Sequence, residues 1–260
     1  MTKPLTLWYG YMNEQFTLLD SFASPVIKLA RANKKTSIQH VSKDTVEYVY
    51  NSQGYRTEEF DTISDSYAIA IGCSHTEGVG LPYEFVYSNQ LSRRLELQVI
   101  NLGVASSGAM FVKKNIFSWV NNIQKAPKFV VAQWPNPHRM FVYEKNVAHF
   151  ELVHSPSQCL IHHAIKLSEN NLLESWVSSI IEANTILRLL NIPCYNIHFQ
   201  KADTYSKEIQ EILINNKIEM HFNDSCNSIW DLDSNAFDKS HHSTQCHEQW
   251  ADRLINIIHE

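Results

Sequence analysis

The chain has 260 residues, of which 44% are hydrophobic and 19% charged. That is ordinary composition for one large folded domain with elaborations, and it excludes wholesale disorder. The formal charge of -5, with no basic block, argues against nucleic-acid binding by counterion release.

The N-terminal segment Met1-Thr2-Lys3-Pro4-Leu5-Thr6-Leu7-Trp8 lacks a long apolar run, and no uninterrupted apolar stretch can span a bilayer. The expectation is a cytoplasmic or otherwise soluble protein without a recognisable signal peptide. Five cysteines (Cys73, Cys159, Cys194, Cys226 and Cys246) are odd in number and widely spread, with no Cys-x-x-Cys. This disfavours a disulfide framework and favours a reducing compartment.

Residues 1–66 read as an irregular N-terminal extension packing on the core, with one strand at Thr45–Tyr50. Asn51-Ser52-Gln53-Gly54-Tyr55-Arg56 then reads as a turn. From Tyr67 the pattern alternates. Strand-like runs are Tyr67–Gly72, Leu97–Asn101, Lys128–Trp134, Cys194–Phe199 and Ile218–Phe222. Helix-like runs are Glu84–Glu96, Ala109–Asn122, Ser168–Leu190, Thr204–Asn216 and Thr244–His259. In the first of these helices Phe85, Leu91 and Leu95 suit an inner face. Pro193 stops the long fourth helix before the next strand. Such alternation predicts an α/β fold, a three-layer α/β/α sandwich with a mainly parallel sheet, over residues 67–260. Residues 135–167, with Pro135, Pro137, Pro156 and several histidines, break the rhythm and read as a loop insertion.

Two segments carry chemistry. Ala68-Ile69-Ala70-Ile71-Gly72-Cys73-Ser74 is an apolar run that ends abruptly in small and polar residues. A buried parallel strand that delivers a serine to the C-terminal edge of a sheet reads this way. Asp238-Lys239-Ser240-His241 precedes the last helix. A serine hydroxyl is a weak nucleophile until a base removes its proton, and histidine titrates near neutrality. An acidic partner holds the imidazole in one tautomer. Ser74, His241 and Asp238 can supply these three roles. A serine after glycine alone is more often a turn residue, and Asp-x-x-His alone is more often a loop or cap. Their joint occurrence in this order favours the catalytic reading.

The pattern resembles the SGNH hydrolases, also called GDSL-type esterases and lipases, from about residue 46 to 258. Gly72-Cys73-Ser74 resembles the family's Gly-Asp-Ser block, with Cys73 in place of Asp. His75-Thr76-Glu77-Gly78 is similar to the usual continuation. Asp238-Lys239-Ser240-His241 matches the last block, although His242-Ser243 replaces Pro-Gly. Tyr50-Asn51-Ser52-Gln53-Gly54-Tyr55-Arg56 is similar to a segment seen before the serine strand. Asn101-Leu102-Gly103-Val104-Ala105-Ser106-Ser107-Gly108 resembles the second block, Asn-x-Gly-x-x-Gly. The resemblance implies a carboxylic ester hydrolase with Ser74, Asp238 and His241 as triad. It also implies an oxyanion hole from the Ser74 N–H, the N–H of Ser106 or Gly108, and the Asn136 amide. Asn136 stands one position from the usual spacing of a third block whose Gly and Asp are missing. Arg139 and His75 are candidate substrate-binding residues.

The implied substrates are small-molecule or carbohydrate esters with short acyl or acetyl groups. No cofactor is implied, and the oligomeric state is not legible. Two other readings share the scaffold: a non-catalytic binding or structural protein, and an acyltransferase using the same triad. A metal site is disfavoured. His162-His163 and His241-His242 with His247 lack a zinc spacing, and adjacent histidines in extended chain point apart. Cys73 is a possible thiol nucleophile by position, but one residue before the turn tip its side chain is expected to face the core.

Overall fold

The computed structural model describes residues 36–41, 44–105, 107–122, 125–137, 139–144, 147–152, 169–199, 207–222, 236 and 241–260. The chain opens with a hairpin of β1 (Thr36–Val41) and β2 (Asp44–Val49). Then follow β3 (Tyr67–Gly72), α1 (Ser74–Glu77), α2 (Tyr87–Arg94), β4 (Gln98–Gly103), α3 (Ala109–Asn122) and β5 (Val130–Gln133). A second hairpin joins β6 (Arg139–Glu144) to β7 (Val147–Leu152). The chain closes with α4 (Glu169–Leu189), β8 (Cys194–His198), α5 (Lys207–Asn215), β9 (Met220–Phe222) and α6 (Thr244–His259).

Five parallel strands form the central sheet in the order β4-β3-β5-β8-β9. All six residues of β3 are buried, because helices cover both faces of the sheet. That double cover is why the strand reads as an unbroken apolar run rather than as alternation. Ile69 and Ile71 face one side, against Ile116 and Trp119 of α3 and Trp176 and Ile180 of α4. Ala68 and Ala70 face the other, against Leu91 of α2 and Trp250 and Leu254 of α6. Small alanines there let bulky helix side chains approach the sheet. Each fully buried Ile or Leu contributes about 1.5–3 kcal/mol from removal of apolar surface. The result is the predicted three-layer α/β fold.

After β3 the chain pairs β4 on one side of it, then crosses to place β5 on the other. The C-terminal end of β3 therefore lies at the topological switch point, where open α/β sheets bind ligands.

Two local expectations change. The single helix expected over Glu84–Glu96 is divided. A 3-10 turn at Tyr83–Phe85 precedes α2, and Val86 stands between them in extended conformation. Phe85 is consequently 38% exposed rather than on an inner face. Part of the stretch expected as loop forms the β6–β7 hairpin, paired from Arg139↔Leu152 to Glu144↔Val147. Among the described residues, no helix is long and apolar enough to cross a membrane.

Candidate active site

Strand β3 ends at Gly72, Cys73 caps α1, and Ser74 is the first helical residue, 4% exposed. The turn between them is tightly wired. The Cys73 N–H donates to Gln133 Oε1 at 2.8 Å. The Gly72 carbonyl accepts from the Val104 N–H at 2.9 Å and from Ser107 Oγ at 3.1 Å. Gly72 is required by close approach, since a Cβ there would fall on Thr76 Oγ1 and the Gln133 side chain. Cys73 is buried, as expected of an inert thiol. Ser74 Oγ lies 3.9 Å from Cys73 Sγ.

Below the turn sits a buried polar frame that the sequence reading left without assignment. Glu77 is fully buried and accepts from Tyr50 Oη at 3.0 Å and from the Ala105 N–H at 2.6 Å. Arg56, 2% exposed, donates to the carbonyls of Gly78 at 2.7 Å, Leu81 at 2.9 Å and Glu47 at 3.1 Å. Its guanidinium stacks 4.4 Å from the Tyr48 ring centroid. Burial pushes the guanidinium down from its ordinary value, and Tyr48, Tyr50 and Glu77 oppose that shift. Asn101 donates to the Thr76 carbonyl at 2.7 Å and to Ser88 Oγ at 3.0 Å, and accepts from the Gly103 N–H at 2.9 Å. The Asn of the second block thus fixes the helix that begins with Ser74. Gln133 was also missed. Its only sequence signal is an amide at the end of an otherwise apolar strand.

Most backbone N–H groups of the described loop after β4 are already paired. After β4, Val104 donates to Gly72, Ala105 to Glu77 and Ser107 to the Val104 carbonyl at 3.1 Å. The Gly108 N–H makes no hydrogen bond to any described residue. The same holds for the Ser74 N–H, an orphan donor of a helix first turn. Ser106 lies outside the described residues. Gly108 itself is fixed by close approach, because a Cβ there would meet the Arg139 carbonyl oxygen at 2.5 Å.

Histidines gather beside the serine. His75, half-buried, has its ring 5.3 Å from that of His241 and 4.6 Å from that of His242. His75 and His242 approach Nδ1 to Nδ1 at 3.1 Å, so one donates to the other. His242 is 3% exposed, whereas His241 is half-buried. The two adjacent imidazoles therefore differ in access to the site. His247 is buried, and its Nδ1 accepts from the Tyr87 N–H at 3.2 Å, which leaves its proton on Nε2. Phe199 packs on His75 at 4.9 Å, on His242 at 5.2 Å and on His247 at 6.1 Å. Burial, then the neighbouring His241, pushes His242 down to about 4. Burial, then His242 and His241, pushes His247 down to about 3. Burial, then His242, His241 and Arg139, holds His75 well below the ordinary range. These three imidazoles are neutral near pH 7. Among the described residues, no group of three or more His, Cys, Asp or Glu side chains could hold a metal ion.

The loop after β5 is anchored from below. Trp134 Nε1 donates to Asn196 Oδ1 at 2.9 Å, and Trp176 Nε1 to the Pro135 carbonyl at 2.6 Å. Asn136 is half-buried, and its carbonyl accepts from the Arg139 N–H at 3.0 Å. Arg139 begins β6 beside Gly108, and its charge acts on the His75 ring. Ser74, His75, His241, Gly108 and Arg139 thus share one end of the sheet. Asp238 lies outside the described residues.

Comparison with solved structures identifies this architecture. One similar structure is a carbohydrate esterase, described as having an active site with divergent catalytic and non-catalytic binding functions. It shares 11% identity and a TM-score of 0.50, over 94% of this chain and 88% of that one. Another is the psychrotrophic esterase EstA from Pseudoalteromonas sp., at 9% identity and a TM-score of 0.50, over 75% of this chain and 97% of that one. No protein-family model and no curated protein matches the sequence. The chain has the SGNH-hydrolase fold.

Proposed function

We propose that the chain is a serine hydrolase that cleaves carboxylic esters through an acyl-enzyme, with short acyl or acetyl groups, including those on carbohydrate, as the substrate class. The observation that carries this reading is the position of Ser74. It stands at the switch-point end of β3, with the half-buried His241 ring 5.3 Å from that of the adjoining His75.

In this reading His241 takes the Ser74 hydroxyl proton as Oγ bonds to the ester carbonyl carbon. The carbonyl oxygen becomes an oxyanion, held by the free N–H groups of Ser74 and Gly108, with the Asn136 amide as a third donor. Collapse breaks the bond to the alcohol oxygen, which receives the proton from His241. Water then repeats the sequence on the acyl-Ser74 and releases the acid. Asp238 is assigned to orient His241.

Two features support a poised nucleophile. The bonds from Gln133, Val104 and Ser107 fix the turn before Ser74, so little reorganisation is needed on reaction. His242 and His247 are buried, which leaves the half-buried His241 accessible as the base. The test is hydrolysis of p-nitrophenyl acetate and butyrate. Ser74→Ala should abolish turnover and leave thermal unfolding nearly unchanged, because the hydroxyl is needed only for chemistry. Turnover persisting in purified Ser74→Ala protein would reject the assignment.

A further inference from the structure

We infer that the substrate carries a carboxylate, and that Arg139 binds it at the edge of the oxyanion loop. This rests on the esterase reading above and names its substrate class more narrowly. Arg139 Nε and Nη1 are both buried, and neither has a hydrogen-bond partner. No ion pair links Arg139 to any described acidic residue. A guanidinium removed from water without an anion is costly, and natural interiors pair such charges. Arg56, the fully buried guanidinium of this region, shows the contrast, with its two terminal nitrogens on four carbonyls, an aromatic face beside it and only Nε unbonded.

Position ties the unpaired charge to the reaction centre. The Arg139 carbonyl lies against Gly108, whose N–H is unpaired, and the Arg139 charge reaches His75, the residue after Ser74. The buried acid nearest the nucleophile does not answer it, because Glu77 is committed to Tyr50 and the Ala105 N–H. His75, His242 and His247 are neutral, so among the described residues of the site Arg139 carries a positive charge with no anionic partner. One carboxylate balances it, and a planar guanidinium matches that group geometrically. The carboxylate can sit on the acyl side, as in a half-ester of a dicarboxylic acid. It can equally sit on the alcohol side, as in an acylated hydroxy acid or uronate.

Matched substrates separate the two. p-Nitrophenyl hemiglutarate is compared with its neutral methyl ester, and 4-acetoxybenzoate with methyl 4-acetoxybenzoate. In one pair the carboxylate member should have a kcat/KM at least about tenfold above its neutral partner, mainly through KM. Arg139→Gln should reduce that ratio to about one, and Arg139→Lys should keep part of it. The pair that shows the preference identifies the side. Equal kcat/KM within both pairs, or a preference that survives Arg139→Gln in protein with a native circular dichroism spectrum, would overturn the inference. Calorimetric titration with monomethyl glutarate separates this inference from the hydrolase reading, because it needs no turnover. Binding to the parent that weakens at least about tenfold in Arg139→Gln, and less in Arg139→Lys, supports it even if no ester is cleaved. No binding to the parent contradicts it even if neutral esters are cleaved by Ser74.

Discussion

The floor and the rim of the site are built differently. The floor is the turn from Gly72 to Gly78, in which Cys73, Thr76, Glu77 and Gly78 each bond to a buried partner from another part of the chain. The rim consists of His241, Asn136 and Arg139, half-buried and carried on segments before α6 and after β5. The two parts divide the labour. The floor holds the serine in one geometry and is insulated from solvent. The rim groups are only half-buried, and Arg139 keeps two nitrogens with no protein partner.

The largest effect is expected at His241, the rim member of the adjacent pair. His241→Ala should lower kcat by about a thousandfold or more, as when a triad member is removed, while His242→Ala should be much milder. Equal losses, or the reverse order, in steady-state kinetics would show that the half-buried imidazole is not the base. Asn136→Ala should come next. It should lower kcat with little change in KM, at a cost of about 3 kcal/mol, because the amide is assigned to the transition state. An unchanged kcat would reduce the hole to the backbone N–H groups of Ser74 and Gly108.

The buried histidines beside the floor should report through stability instead of rate. Burial pushes His242 to about 4 and His247 to about 3, against an ordinary 6.5. Between these folded values and 6.5 the unfolded chain binds protons that the folded chain refuses. The neutral imidazoles therefore contribute fully above about pH 6.5. Their contribution falls as pH drops, by on the order of 3 kcal/mol for His242 by about pH 4. His242→Gln should flatten the fall in Tm between about pH 7 and about pH 5. A slope identical to that of the parent would mean that His242 is not held neutral by burial.

Much of the floor was legible in the sequence, and the reason is local. A strand buried on both faces must be apolar throughout, so Tyr67–Gly72 declared itself and its end located Ser74. Helix α6 begins at the predicted residue because Ser243 caps it, accepting from the Cys246 N–H at 3.3 Å. What failed depends on distant partners. The β6–β7 hairpin was obscured by the prolines and histidines around it. Helix α2 was drawn too long because Val86, extended and without a side-chain cap, gives no local stop signal. Glu77, Gln133 and Arg56 look like surface residue types, and only tertiary structure reveals them as a buried frame. Arg139 is a candidate substrate contact from its place after the third block. That its nitrogens are buried and unpaired is visible only in the structure. The acid assigned to the triad, Asp238, and the alternative oxyanion residue, Ser106, lie outside the described residues, so their places rest on the sequence pattern.

The central claim is that Ser74 is an activated nucleophile at the switch point of the sheet. Labelling with a fluorophosphonate, followed by peptide mass spectrometry, tests it most directly. The account predicts one stoichiometric adduct on Ser74, lost in Ser74→Ala and strongly slowed in His241→Ala. An unlabelled Ser74 in folded protein, or an adduct on Cys73 instead, would contradict it.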